Sequence, residues 1–190
     1  SGTCFPNKKR RSPGYFFNFG SQRFLVDCGS STLHSLAELD IDCTKLDGIF
    51  LTHFHVDHIG DLLPLMTCLA ASHTSPRTRD FVIYGATGLK KLIEGAKALV
   101  SDTGLEPANF NMFVHELKQG ETITLKDGTL TTYPVRHNDS SLGLRFEHND
   151  GSTIVFSGDT GYGQEVITLA KDADLAIFEC SLPVSFYAPE

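Results

Sequence analysis

Apolar residues along the chain follow two spacings. Short, nearly continuous runs sit at Arg23–Cys28, Leu46–Thr52, Phe81–Tyr84, Thr153–Ser157 and Asp174–Cys180. Such runs, rich in Val, Ile and Phe, predict strands buried on both faces. Gly14–Asn18 leads through the turn Asn18-Phe-Gly-Ser21 into Arg23–Cys28, a hairpin signal. Met112–Leu117, Thr122–Lys126 and Thr129–Pro134 are further strands, the last two joined by Asp127-Gly128, a strong two-residue turn. Leu142–Glu147 follows, with a tip at His148-Asn-Asp-Gly151 before Thr153 that places His148 in solvent.

Helical spacing appears elsewhere. Ser30 or Ser31 caps a helix running to about Asp40. Leu62, Leu63, Leu65, Met66 and Leu69 form an apolar face within a helix expected over Ile59–Ala71, and Leu89, Leu92, Ile93, Ala96 and Leu99 form a second. Glu165–Ala170 is a short helix. Strands alternating with helices predict an α/β layered fold, and 190 residues suit one domain over 1–190.

Charge narrows the functions. A formal net charge of −7 disfavours broad nonspecific nucleic-acid binding, although a local basic patch would escape that average. No run is long and apolar enough for a membrane span. Five cysteines, odd in number and with no Cys-x-x-Cys, read as reduced thiols in a cytoplasmic protein, with Cys28 and Cys180 in the core.

The chemistry concentrates after the Leu46–Thr52 strand. His53, His55, Asp57 and His58 fall within six residues. In extended chain alternate residues share a side, so His53 and His55 can face one point while Phe54 and Val56 face the interior. Beyond Val56 the chain turns and directs Asp57 and His58 to a second point. Two adjacent sites from one loop predict a two-metal centre. Imidazole and carboxylate donors suit Zn2+, with Mn2+ or Fe as alternatives. A His-rich surface loop is the bland alternative, but such tracts are interleaved with Gly and Ser rather than with Phe and Val.

The pattern His-x-His-x-Asp-His after a strand resembles the signature of the metallo-β-lactamase superfamily. Asp27-Cys-Gly-Ser30, His137 followed by Leu142-Gly-Leu-Arg145, and Phe156-Ser-Gly-Asp-Thr160 extend the resemblance to its ribonuclease Z-like branch and small phosphodiesterase relatives. It implies a four-layer αββα sandwich whose first strand and C-terminal part fall outside this sequence. It implies that His137 completes the His53/His55 site and that Asp159 bridges both metals, where lactamases often carry Cys. Asp27 would support the metal loop by hydrogen bonding, and Asp57 would orient the attacking water as well as bind metal. The family's last His ligand has no counterpart after His148. The basic run Lys8, Lys9, Arg10 and Arg11 has two readings, a solvated loop or a lip that attracts phosphate.

The resemblance thus implies a dinuclear metal-dependent hydrolase attacking a phosphodiester, small molecule or RNA, with a metal-bridging hydroxide. Relatives of this branch are often dimers, which makes a homodimer a candidate assembly. Enzymes of the branch that mature tRNA carry a long arm between the strands corresponding to Leu142–Glu147 and Thr153–Ser157. A tight turn stands there instead, which disfavours tRNA processing. Two alternatives stay open: hydrolysis of carbon esters, thioesters or lactones on the same site, and a catalytically inactive metal-binding protein.

Overall fold

Side-chain alternation on one strand decides the layering. In the computed structural model, which describes residues 8–71, 77–100, 107 and 109–179, strand β3 (Gly48–Leu51) is buried along its whole length. Ile49 and Leu51 point into one apolar cluster and Phe50 into another. A strand with two dry faces must lie inside a layered stack. Cys4, His73, Cys180 and part of the 104–111 loop lie outside the described residues.

Strands β1 (Tyr15–Phe19), β2 (Gln22–Val26), β3, β4 (Phe81–Ala86) and β5 (Met112–Leu117) form one sheet in that order. Only the β1–β2 pair is antiparallel; β2 to β5 run parallel. The second sheet has the order β10 (Leu175–Ile177), β9 (Thr153–Phe156), β8 (Leu142–His148), β7 (Gly128–Pro134), β6 (Thr122–Leu125). Helices α1 (Thr32–Glu38), α3 (Leu62–Ala70) and α4 (Leu89–Leu99) cover the first sheet with Leu36, Leu65, Met66, Leu69, Leu89 and Ile93. Helix α5 (Gln164–Ala170) covers the second sheet through Leu169, which leaves no room for a side chain at Gly143. The result is the expected αββα sandwich.

Aromatic rings fill the space between the sheets. Phe50 stacks on Tyr84 at 4.5 Å between centroids and meets Phe24 and Phe146 edge-on at 5.1 and 4.9 Å. Phe17 bridges to Phe146 and Phe156. Large rings let a few residues from each strand fill a gap of about 10 Å.

Four local expectations need correction. The helix expected over Ile59–Ala71 is two: a single turn, α2 (Val56–Ile59), then α3. The break falls at Gly60-Asp61, where the Asp61 N–H donates to the Cys28 carbonyl at 2.8 Å and the Asp61 carboxylate accepts from the Leu33 N–H. Because α2 begins at Val56, the extended alternation stops there, and Val56 is 77% exposed rather than interior. Among the described residues, strand β10 ends its sheet beside β9 and Leu175 is 53% exposed, against the buried strand expected. His148 is half-buried, its ring edge-on to Phe19 at 5.2 Å, because the hairpin tip folds back over β1.

Phe50→Ala is expected to cost about 3–5 kcal/mol, since a central ring packed against Phe24, Tyr84 and Phe146 leaves a cavity that cannot collapse. Urea unfolding with a lower midpoint and an unchanged slope would bear this out; a loss below 1 kcal/mol would mean the ring cluster is not the core.

Candidate metal centre

Four chain segments reach one edge of the sandwich. The residues leaving β3 supply Thr52, His53 and His55, and the α2 turn supplies Asp57 and His58. The loop after β7 supplies His137 and the loop after β9 supplies Asp159. The two sheets are stitched together at this edge, where the Leu142 N–H donates to the Thr52 carbonyl at 2.9 Å. Gly158, at φ 58°, lets its loop come so close that a Cβ there would lie 2.8 Å from Thr52 Cβ.

Asp27 closes β2 in the left-handed conformation, at φ 57°. Asp tolerates that region better than most residues. The turn places a buried carboxylate under the histidine loop. Oδ1 accepts the Thr52 N–H at 2.8 Å, Thr52 Oγ1 stands 2.9 Å from Oδ2, and His58 Nδ1 lies 2.7 Å from Oδ2. Thr52 Oγ1 is also 3.1 Å from His53 Nδ1. With its own proton given to Asp27, the hydroxyl accepts from His53 Nδ1–H. Both buried imidazoles are thereby held with Nδ1 inward and Nε2 toward the cleft, the tautomer a metal ligand requires.

His53, His55, His137 and Asp159 each place a donor atom within 4.8 Å of the other three. His137 Nε2 and His55 Nδ1 are 3.0 Å apart. Asp159 Oδ2 is 3.9 Å from both His53 Nε2 and His137 Nε2, while Oδ1 is 3.1 Å from His58 Nε2. That last contact lacks hydrogen-bond geometry, so the buried Nε2 atoms of His53 and His58 both go without a hydrogen-bond partner. Buried polar atoms are nearly always paired, so two orphaned nitrogens facing one cleft point to an electrophile. The donor set of imidazoles and one carboxylate fits a divalent metal ion. Asp57, half-buried on the first turn of α2, stands outside the four converging groups.

The electrostatics of the metal-free cluster are lopsided. Burial pushes the His53 pKa down to about 3, and the nearby His58 charge adds to this. Burial also opposes charge on His58, but Asp159 and Asp27 outweigh it and raise its pKa to about 10. Burial disfavours the Asp159 carboxylate, yet His58 more than compensates and lowers its pKa. His53 is therefore a neutral donor at neutral pH, while His58 carries a proton.

Arg11 of the basic run is engaged by α1. The Arg11 guanidinium bonds Ser35 and Glu38 of α1, at 3.0 Å to the Glu38 carboxylate. Lys8, Lys9 and Arg10 are exposed. Pro13, just after them, shares a small cavity with Asp27, His58 and Asp159. On the other side of His55 a cleft of about 760 Å³ opens, lined by residues that include Thr87, Lys118, Gln119, Asn138, Asp139 and Ser140. Two supporting residues escaped the sequence reading. Thr52 could have been found from a hydroxyl beside a buried histidine, which needs a partner. Glu179, whose carboxylate accepts the Thr160 N–H at 2.5 Å and so braces the Asp159 loop, carries no local signal.

Two facing sheets, helices outside and a histidine–carboxylate cluster at one edge define a metallo-β-lactamase-type fold with a candidate metal centre. The family model for the beta-lactamase superfamily domain matches residues 22–185. The probable metallo-hydrolase YhfI of Bacillus subtilis is 31% identical over 188 residues, covering 98% of this chain and 70% of that protein. Its crystal structure superposes with a TM-score of 0.73 at 28% identity, over 95% of this chain and 68% of that one. Ribonuclease Z of Archaeoglobus fulgidus is 31% identical over 150 residues, 79% of this chain and 46% of that protein. Human tRNase Z, short form, shares the fold with a TM-score of 0.79 at 22% identity, over 97% of this chain and 77% of that one. The chain belongs to the metallo-β-lactamase superfamily, in its ribonuclease Z-like branch. It spans about half the length of the first ribonuclease Z relatives it matches, 46% and 59%. Among the described residues no helix is long and apolar enough to cross a membrane.

The two buried imidazoles bound the stability of the metal-free fold in opposite directions. His58, raised from 6.5 to about 10, stabilises fully below pH 6.5, and this is lost as pH rises toward 10. His53, lowered from 6.5 to about 3, withdraws stability as pH falls from 6.5 toward 3. As far as this pair decides, metal-free protein is most stable near pH 6.5. Imidazole NMR in chelator should find His58 protonated and His53 neutral at pH 7.5; the reverse assignment would refute the arrangement.

Proposed function

We propose that the protein is a dinuclear metal-dependent hydrolase that cleaves phosphodiesters. The observation that carries this reading is the two-sided use of Asp159. One of its oxygens faces His53 and His137, and the other faces His58. A carboxylate so placed suits two cations, one held by His53, His55 and His137, the other by Asp57 and His58, with Asp159 shared. Nitrogen and oxygen donors of this kind favour Zn2+ over harder ions, with Mn2+ or Fe as the alternatives. Two such ions supply a water-derived nucleophile at neutral pH and offset charge growing on phosphoryl oxygens.

The protein residues do the remaining work. Asp27 and Thr52 fix the ring orientations of His58 and His53. Asp57, half-buried on the first turn of α2, would orient the attacking water. The cleft beside His55 has the size of a ligand pocket and carries one cation, Lys118, and one carboxylate, Asp139, among uncharged polar groups. Kinship with proteins named ribonuclease Z supports a phosphodiester over a carbon ester. The link from β8 to β9 is closed by the Gly151 N–H donating to the His148 carbonyl at 2.9 Å. With no room for an arm there, a small phosphodiester is favoured over a folded tRNA.

Metal analysis of the loaded protein should return two ions per chain. Bis-nitrophenyl phosphate should turn over faster than a lactone or a β-lactam. Loss of a residue that only orients a metal ligand costs 10–100-fold, so Asp159→Ala and His55→Ala should each lower kcat/KM by at least about 100-fold. Circular dichroism should show both variants folded. Turnover of the carbon substrates alone would transfer the protein to the ester- or lactone-cleaving reading. One ion or none, with no turnover, would make it a metal-binding protein without catalysis.

A further inference from the structure

On the helical face of the first sheet, the 3-10 turn Cys43–Lys45 lies against α3. Cys43 and Cys68 bring their sulfur atoms to 3.1 Å there, inside van der Waals contact, and neither is bonded in a disulfide. Both side chains are half-buried, Cys43 packed against the apolar core, and solvent still reaches them. Cys28 differs: it is fully enclosed and unpaired.

We propose that Cys43 and Cys68 form a dithiol site that exchanges with a low-molecular-weight disulfide and closes into an intramolecular bond. The Cys68 thiolate attacks one sulfur of the small disulfide. An S–S bond forms at Cys68 and the partner leaves as a thiolate, which takes up a proton. Cys43 then loses its proton to solvent and attacks Cys68 Sγ, expelling the second small thiolate. The two cysteines are oxidised by two electrons, and one small disulfide is reduced to two thiols.

The chemistry of the pair assigns these roles. The hydrogen bond from Cys43 lowers the Cys68 thiol to about 7, against burial and the Asp42 charge, which both raise it. That same hydrogen bond holds the proton on Cys43. Attack by the thiolate member, with the other as resolving thiol, is the expected order. The new bond closes the segment 43–68, which contains His53, His55, Asp57 and His58. The metal loop would then be tethered at both ends, with one tether on either side of β3.

The test uses the full chain and oxidised glutathione at neutral pH, followed by non-reducing digestion and mass spectrometry. A cross-linked peptide joining Cys43 to Cys68 is expected. In Cys43→Ser the second step has no thiol, so Cys68 should retain one glutathione. The oxidised wild type should melt roughly 10 °C higher than the reduced form, as a closed loop of this length restrains the unfolded chain. A wild-type Cys68 that stays free, or that keeps glutathione without bonding Cys43, overturns the proposal. So does a Cys43→Ser chain with no adduct on Cys68. A cross-link that leaves Tm unmoved overturns its role in bracing the metal loop.

Discussion

The centre depends on one buried carboxylate. Asp27 is fully enclosed, and taking a charge out of water costs several kcal/mol unless it is paired and hydrogen-bonded. Its partners are the Thr52 N–H, the Thr52 hydroxyl and His58 Nδ1. Each of these sits on the histidine loop. The loop therefore cannot shift without stranding the charge, so desolvation itself locks the ligands in place. The same carboxylate governs both buried rings, one directly and one through a hydroxyl. Its left-handed backbone follows from this duty. The Asp27 N–H still reaches the Phe50 carbonyl at 2.8 Å while the side chain is turned beneath the neighbouring strand.

The sandwich makes such a site possible because β3 is dry on both faces. Ile49 and Leu51 are fixed by helices, and Phe50 by rings from the facing sheet. Thr52 and His53 leave this strand with little freedom of direction. His137 and Asp159 arrive from the other sheet, so the cluster spans the seam between the sheets and depends on their spacing. The Thr52–Leu142 bond and the missing side chain at Gly158 set that spacing at the point where it matters.

What the sequence disclosed follows from locality. His53, His55 and His58 lie on one short segment after an apolar run, so their convergence needs only strand and turn geometry. Asp159 and His137 are remote in sequence, and no spacing links them to the loop; the family resemblance did. The errors were local too. Val56 breaks the extended alternation because a helical turn starts with it. The split between α2 and α3 comes from a tertiary bond, Asp61 to Cys28, invisible to periodicity. Arg11 belongs to a charge run, but its partner Glu38 lies on a helix that folds back to meet it.

The charge state of the metal-free cluster completes the argument. His58 stands between two carboxylates, Asp27 at 2.7 Å and Asp159 at 3.1 Å. A neutral ring there would leave two negative groups facing each other across a buried space. The proton on His58 removes that conflict, occupying the electrostatic role for which a cation is suited. A cation on the Asp159 side would compete with that proton. His53 has no such proton to lose. The two halves of the cluster thus differ in kind: the His53 side is a ready donor at neutral pH, and the His58 side is opened by deprotonation.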